Sequence, residues 1–598
     1  MCGFVGIIGD LKIKNYMSDL KKSINLIGHR GPDHKNFFLA ENYGVAFTRL
    51  SIQDLSKKGN QPMSSQNNRY IIVFNGEIYN FKILKKKLQN NGIVFSSSSD
   101  TEVLLYLYQI KKEKMLNDIE GMFSIVIYDK VEKSVFLARD RFGIKPLYYI
   151  NFNNILVFAS EVKAFLPLIN RLNIPWSINK ELISEYLSFR SITGKNTLIK
   201  SVKSLSEGHY GKFFKSGKVR LFKYYSEKIN NFNNSKVNLQ SNSIKSYEDE
   251  VDEALYDAVE SQMISDAPIG LSLSGGLDSS LLLSYMSQIS QKKIHTYTVR
   301  FTGLNKKEKN LYDETHYAKE ASKIFDSNLK IVEFNSKDNL QLFTEAIWYN
   351  DFPLSFPHSP AIIKLAREAS KDVKVLLGGE GADEVFGGYN TYQDIKKPQK
   401  KINIYSEPND VKKLLDIEYF ENKERINKSK LIRKNNINTL ILYYLKTKLI
   451  SLEHRLDKMS MAGSVEFRVP YLNEKLFHIL KKLPVNLKSN KNFNKYILKK
   501  IAERYFPKKF IYRKKNGFSM PINNWMKKKD FMDEYVSILD EKRTLSREIY
   551  DTESIQRLLK KFKDDKDTFI NSNSGKIWSL INLELWIRYF IEDKKSFI

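Results

Sequence analysis

Two domains of different build are predicted: an α+β sandwich of two sheets with helices outside, then an α/β domain on a parallel sheet with a helical C-terminal part. Three observations carry this. The chain has 598 residues, more than one hydrophobic core supports. Residues 1–210 hold short apolar runs cut by turn residues. Beyond residue 250, strand-like runs alternate with helical patterns.

Taken in order, Gly3–Ile8, Tyr70–Phe74, Met122–Tyr128, Ser134–Ala138 and Ile155–Ala159 read as strands. Residues 16–28 and 101–112 have helical spacing of apolar residues. Residues 226–247 are rich in Asn, Ser and Lys without apolar periodicity, so a linker is expected there. This gives domains at 1–215 and 248–598, joined by 216–247. Glu248–Ile264 reads as an amphipathic helix and Ile269–Leu273 as a strand, followed by a glycine turn and a helix from Ser279. Ile294–Phe301 and Val373–Leu377 are further strands between helices, the pattern of a parallel sheet. From about 410 onward the chain is largely helical and charged, without internal repeats.

Apolar residues make up 42 % and aromatic residues 13 % of the chain, which excludes a disordered or fibrous class. Ninety-seven basic against 68 acidic residues leave a net charge of +29. The lysines are spread along the chain and mixed with asparagine, with no basic stripe interleaved with aromatics. No specific nucleic-acid partner is expected, although polyanions should bind in a salt-sensitive way. The apolar runs fall short of a membrane span, and the start has no basic signal region, so no membrane partner and a cytoplasmic location are expected. The one cysteine, Cys2, excludes an intramolecular disulfide and a cysteine metal cluster. A lone cysteine is usually a small buried hydrophobe. At position 2, however, removal of Met1 leaves a thiol and a free α-amine on one residue.

A thiol needs a base to become a nucleophile, and an amine on the same residue can serve. Acyl transfer also needs donors for a developing oxyanion. Phe74-Asn75-Gly76-Glu77-Ile78-Tyr79-Asn80 follows a strand and offers the Asn75 amide and a close backbone approach at Gly76. An Asn-Gly pair alone is usually a hairpin turn. Here it is accompanied by His29-Arg30-Gly31-Pro32-Asp33, Arg49-Leu50-Ser51-Ile52, Ser99-Asp100-Thr101-Glu102 and Arg139-Asp140-Arg141-Phe142-Gly143-Ile144-Lys145-Pro146-Leu147. In this order the motifs resemble the class II glutamine amidotransferases, whose N-terminal-nucleophile domain is an αββα sandwich. The resemblance implies that Cys2 is the nucleophile, with its own amine as base. It implies Asn75 and the Gly76 N–H as the oxyanion hole, Arg49 on the glutamine carboxylate, and Glu77 and Asp100 on its ammonium.

Ser272-Leu273-Ser274-Gly275-Gly276-Leu277-Asp278-Ser279-Ser280 lies between a strand and a helix. Small residues let N–H groups converge on an anion at a helix N-terminus. There is no Gly-Lys-Ser/Thr ending, so this is not the common P-loop. Asp278 is unfavourable beside an anion unless a cation escorts it, and Mg²⁺ on phosphates resolves the conflict. The loop resembles that of the ATP pyrophosphatases. With Gly378-Gly379-Glu380-Gly381-Ala382-Asp383-Glu384, the segments Arg455–Ala462 and Glu466–Pro470, and Arg513-Lys514-Lys515-Asn516-Gly517-Phe518, it is similar to the asparagine synthetase family. That resemblance implies ATP and Mg²⁺, with Asp278 and Asp383 on the metal. It also implies Leu273, Ser274, Gly275, Gly276, Ser279, Val299, Gly378 and Gly379 around the nucleotide. Glu380 would act on the acyl-adenylate and ammonia, and Lys515 would lie over the departing pyrophosphate.

The expected reaction is ATP-driven amidation of a carboxylate, with glutamine as nitrogen donor and aspartate as acceptor. Family resemblance also admits a sugar uronate as acceptor. Residues 348–360 are less polar than a small dianion invites, Gly378 stands where many synthetases carry serine, Arg300 where they often carry glycine, and Asn473 where aspartate is usual. A basic scaffold on an inherited fold and a glutaminase with a dead synthetase half are the other readings. Both predict gaps in the catalytic set, and none is found. The family implies a homodimer.

Overall fold

The computed structural model describes residues 2–214, 217–239, 243–392, 404–430, 432, 436–514, 517, 519–564 and 573–593. Among these, the N-terminal part is built on two antiparallel six-stranded sheets. One runs in the order Lys203–Ser204, Tyr148–Phe152, Ile155–Ala159, Cys2–Ile8, Tyr43–Arg49, His34–Leu39. The other runs Val219–Lys223, His209–Phe213, Ser134–Arg139, Gly121–Asp129, Tyr70–Ile78, Met63–Ser64.

The two-residue period of a strand makes the layers. Cys2, Phe4 and Ile8 point between the sheets, where they join Ile71, Val73, Val126 and Leu137 in one core. Val5 and Ile7 point outward onto Leu20 and Ile24 of the helix Met17–Leu26. On the second sheet, Tyr70, Ile72 and Phe74 face outward onto Leu84 and Leu88 of Phe81–Asn90 and Val103 and Leu107 of Asp100–Lys111. The expected helix–sheet–sheet–helix sandwich is therefore present. The same alternation places Asn75 and Glu77 on the inner face of their strand.

Tyr43–Arg49 is a central strand that the sequence did not announce. It is buried throughout between its two neighbours, but Gly44, Thr48 and Arg49 break up its apolar run, leaving too short a signal. Val219–Lys223 lies within the segment expected to be a linker. It pairs on one side only, with His209–Phe213, and its exposed Arg220 and Lys223 suit an edge.

The second part carries a parallel sheet ordered Asn328–Phe334, His295–Phe301, Ile269–Ser272, Val375–Leu377, Glu466–Arg468. From Ile269–Ser272 the chain first builds outward on one side, then returns to place Val375–Leu377 on the other. The gap between these two strands is thus a switch point, where open parallel sheets leave a crevice at the carboxyl ends. The turns at 273–279 and 378–383 flank it. No helix among the described residues is long and apolar enough to cross a membrane.

Candidate active sites

Cys2 begins the central strand of the first sheet and is 8 % exposed. Its backbone N–H donates to Asn75 Oδ1 at 3.0 Å, joining the two sheets at the thiol. Asn75 is fully buried, and its Nδ2 has no hydrogen-bond partner among the described residues. A buried amide donor left open is costly, and beside a nucleophile it is what an oxyanion requires. Gly76 adopts φ +154°, and a Cβ there would lie 2.0 Å from the Met122 carbonyl oxygen, so only glycine fits. Burial pushes the Cys2 thiol up; the N-terminal charge, the Leu50 N–H and Arg49 pull it back down.

Arg49 is 4 % exposed, and its guanidinium is held by the carbonyl oxygens of Ser56 (2.9 Å), Gln53 (3.1 Å) and Asp54 and by Asn60 Oδ1 (2.7 Å). Neutral oxygens fix its position while leaving its charge available to an anion. Glu77 and Asp100 are 6 % and 4 % exposed. Burial pushes the Glu77 carboxyl far up, and Glu466 adds to it. Asp100 accepts the Ile78 N–H at 3.0 Å, yet burial still carries it up to about 6. A cation placed beside these two acids would favour their ionised forms.

Glu466 and Arg468, from the other domain, reach into this cluster. Arg468 lies 3.4 Å from Glu77 Oε2 and donates to Glu466 Oε1 at 2.7 Å. Arg30 donates to the Cys2 carbonyl (3.0 Å), Glu161 (2.8 Å) and Asp457 (2.9 Å). Beside it, Lys163 and Lys458 clasp Asp351 at 2.7 and 2.6 Å, all fully buried. The seam between the domains is therefore ionic, and none of these pairings is visible in local sequence.

At the switch point, Gly276 caps the helix Leu277–Ile289, with Asp278 in its first turn. Ser274 Oγ lies 3.0 Å from Ser279 Oγ and accepts the Gly276 N–H at 3.2 Å. Gly275 at φ +79° packs so closely on Ala318 that a Cβ would lie 2.6 Å from its N. Leu273 is tied to the next strand through Tyr297 O at 2.8 Å, two residues before Val299. Gly379 brings the 378–383 turn against Asp278, at 3.0 Å from its Cβ for an added methyl. Asp278 and Asp383 then converge on the Lys495 ammonium, at 2.7 and 2.6 Å. Two carboxylates thus share one cation at a helix N-terminus, a donor set of hard oxygens with which a divalent ion such as Mg²⁺ is chemically compatible. Lys495 was missed among so many lysines. Lys515 lies outside the described residues; Arg513, two residues earlier, donates to the Gly275 carbonyl of the loop.

Glu380 lies 3.6 Å from Arg455, and burial first, then Asp278 and Asp383, raise its carboxyl. The departures also find places. At Gly378 a Cβ would come 2.2 Å from the Phe467 ring, which takes the room a serine needs. Arg300 pairs with Glu333 opposite it on the neighbouring strand. Asn473 caps the helix Glu474–Lys482, accepting from Leu476 N at 3.1 Å.

A thiol-bearing sandwich beside a parallel-sheet nucleotide site defines a glutamine amidotransferase coupled to an ATP-using synthetase. The sequence matches the glutamine amidotransferase domain model over residues 1–225 and the asparagine synthase model over 250–588. The chain belongs to the asparagine synthase family, whose glutamine-dependent, ATP-driven amidation it shares. It is 32 % identical to asparagine synthetase [glutamine-hydrolyzing] 1 of Bacillus subtilis, across 99 % of this chain and 98 % of that one. A putative asparagine synthetase 2 of Methanocaldococcus jannaschii is 33 % identical over 70 % of this chain and 82 % of its own. Asparagine synthetase B of Escherichia coli is 26 % identical over 87 % of this chain and 82 % of its own.

Proposed function

We propose that this enzyme converts aspartate to asparagine with glutamine nitrogen, releasing glutamate, AMP and pyrophosphate. The observation that carries the acceptor is Arg455. It is 5 % exposed, stands 3.6 Å from Glu380, and its Nε has no hydrogen-bond partner among the described residues. A buried guanidinium with an open N–H holds one carboxylate of a dianion while the other faces the nucleotide.

In the first half-reaction Cys2 Sγ attacks the glutamine carboxamide, and the proton passes to the Cys2 amine once Met1 is removed. Asn75 Nδ2 and the Gly76 N–H meet the oxyanion, NH₃ leaves, and water resolves the thioester to glutamate. Arg49 holds the substrate carboxylate; Glu77 and Asp100 hold its ammonium. In the second, the acceptor carboxylate attacks the α-phosphorus of ATP and pyrophosphate leaves. Asp278 and Asp383 would hold Mg²⁺, which offsets phosphate charge when bound. Leu273, Ser274, Gly275, Gly276, Ser279, Val299, Gly378 and Gly379 would surround the nucleotide, with Lys515 over the pyrophosphate. Glu380 takes the proton that ammonia loses on attacking the acyl-adenylate. Released ammonia would be protonated in bulk water, so it crosses within the protein.

The test supplies purified enzyme with glutamine, ATP, Mg²⁺ and either aspartate or sugar uronates. Asparagine and AMP in equal amounts are expected with aspartate. AMP with a uronate alone would displace aspartate, and no AMP with any carboxylate would remove the synthetase half. Cys2→Ala should abolish glutamate release yet keep amide synthesis from ammonium salts.

A further inference from the structure

The helix Lys448–Met461 runs along the seam between the domains, and one of its acids stands apart. Glu453 is 1 % exposed, and neither carboxylate oxygen has a hydrogen-bond partner among the described residues. Burying an acid this way is costly. Its charged neighbours lie on two sides: Glu380, Glu384 and Arg455 of the synthetase domain, and Lys145 of the sandwich. One turn along, Asp457 shares its helix face. Asp457 pairs with Arg30 at 2.9 Å and stands 3.6 Å from Lys145. Arg30 in turn donates to the Cys2 carbonyl, while Arg455 lies 3.6 Å from Glu380. Glu453 thus sits between the groups linked to the Cys2 backbone through Arg30 and those that reach Glu380 through Arg455. A carboxyl buried without a partner is favoured in its protonated form, and burial, then the charge of Glu380, pushes it far above the usual range. A neutral carboxyl offers one O–H to donate and one carbonyl to accept. Ammonia, with a lone pair and N–H bonds, matches both functions; ammonium has no lone pair and matches only one.

We propose that Glu453 is a waypoint for ammonia travelling from Cys2 to Glu380, holding NH₃ between a donated O–H and an accepted N–H hydrogen bond. This rests on the reading that the two half-reactions share one nitrogen. No covalent bond changes at the waypoint, and the ammonia leaves uncharged and nucleophilic.

The test is nitrogen coupling in the full-length enzyme: glutamate and AMP formed with glutamine, ATP, Mg²⁺ and aspartate. E453L removes both hydrogen-bonding functions at similar volume, E453M does the same with a more adaptable side chain, and E453Q keeps a donor and an acceptor. The glutamate-to-AMP ratio is expected to rise at least about fivefold in E453L or E453M, the worth of one of the two hydrogen bonds they lose, and to stay near wild type in E453Q. An unchanged ratio in a folded E453L or E453M overturns the waypoint while leaving the shared nitrogen intact. An equal fall in AMP formation with glutamine and with added ammonium chloride also overturns it, because Glu453 would then act in the adenylate chemistry. A wild-type enzyme that releases glutamate but forms no AMP with any carboxylate removes the shared-nitrogen reading, and the waypoint with it.

Discussion

Arg30 and Asp457, 427 positions apart, are joined by a 2.9 Å hydrogen bond in which neither side chain is more than 2 % exposed. The same guanidinium holds the Cys2 carbonyl and Glu161, so one residue links the docked helix of the second domain to the strand that bears the thiol. Removing one partner of a buried pair strands the other's charge, so Arg30→Ala should cost about 3–5 kcal/mol. Arg30→Ala with Asp457→Ala should cost less than the sum of the two, by about 1 kcal/mol or more, in a urea-denaturation cycle. Additive losses would show that the pair does not couple the domains.

Asp100 gives the glutamine site a pH dependence. Its ordinary value is 3.8, and in the fold it is pushed up to about 6 by burial. The folded state therefore binds the extra proton between these values. Its stabilising effect is complete below pH 4 and is lost as pH rises through 6. Across that window the loss is of order 3 kcal/mol for the ligand-free enzyme. A bound ammonium favours the ionised form, so the glutamine KM should rise about tenfold per unit as pH falls below 6. Glutaminase kinetics from pH 4.5 to 8 check this, and Asp100→Asn should flatten the profile. A KM that stays level through pH 5 in the wild type would remove the role given to Asp100.

What could be read from sequence follows the reach of each signal. Cys2, Asn75 and the 274–280 loop could be singled out because each sits in a short motif, and the fold then sets the Cys2 N–H 3.0 Å from Asn75 Oδ1. The strands that were legible are buried runs dominated by apolar residues, such as Cys2–Ile8 and Gly121–Asp129, whereas the equally buried Tyr43–Arg49 mixes Gly44, Thr48 and Arg49 into its run. Lys495 was hidden because 97 basic residues make any single lysine unremarkable; only the fold sets it between Asp278 and Asp383. Glu466 and Arg468 could be read as a motif, but their approach to Glu77 is a property of domain docking. The cage of neutral oxygens around Arg49 likewise depends on a loop closing back on its own strand.

Gly378 illustrates a substitution that its surroundings enforce. Restoring serine places a Cβ 2.2 Å from the Phe467 ring and 2.7 Å from Glu380 Oε2. Overpacking of this kind costs about 1–3 kcal/mol, and displacing Glu380 should lower AMP formation with glutamine and with ammonium alike. Adding Phe467→Ala should relieve the clash, so that the double variant is more stable and more active than Gly378→Ser alone. Thermal melts with AMP assays on both proteins decide it. A Gly378→Ser enzyme that melts and turns over like the wild type would mean the ring moves aside freely.

Lys495, 4 % exposed, holds both Asp278 and Asp383. Gly388 makes this possible: a Cβ there would lie 2.1 Å from Lys495 Cε and 1.9 Å from Asp383 Oδ1. One ammonium leaves the pair with a net negative charge, which favours a divalent ion arriving with phosphates. Lys495→Met leaves two carboxylates facing each other without a cation. The nucleotide-free variant should lose about 2 kcal/mol in EDTA, less than a fully buried pair because both aspartates are partly exposed. Added Mn²⁺ should restore more of that stability than it adds to the wild type, and Mn²⁺ paramagnetic resonance should show binding without ATP. Bound Mn²⁺ equal in both proteins would mean that Lys495 does not occupy the cation's place. A melting point unchanged in EDTA would mean the two aspartates do not need it.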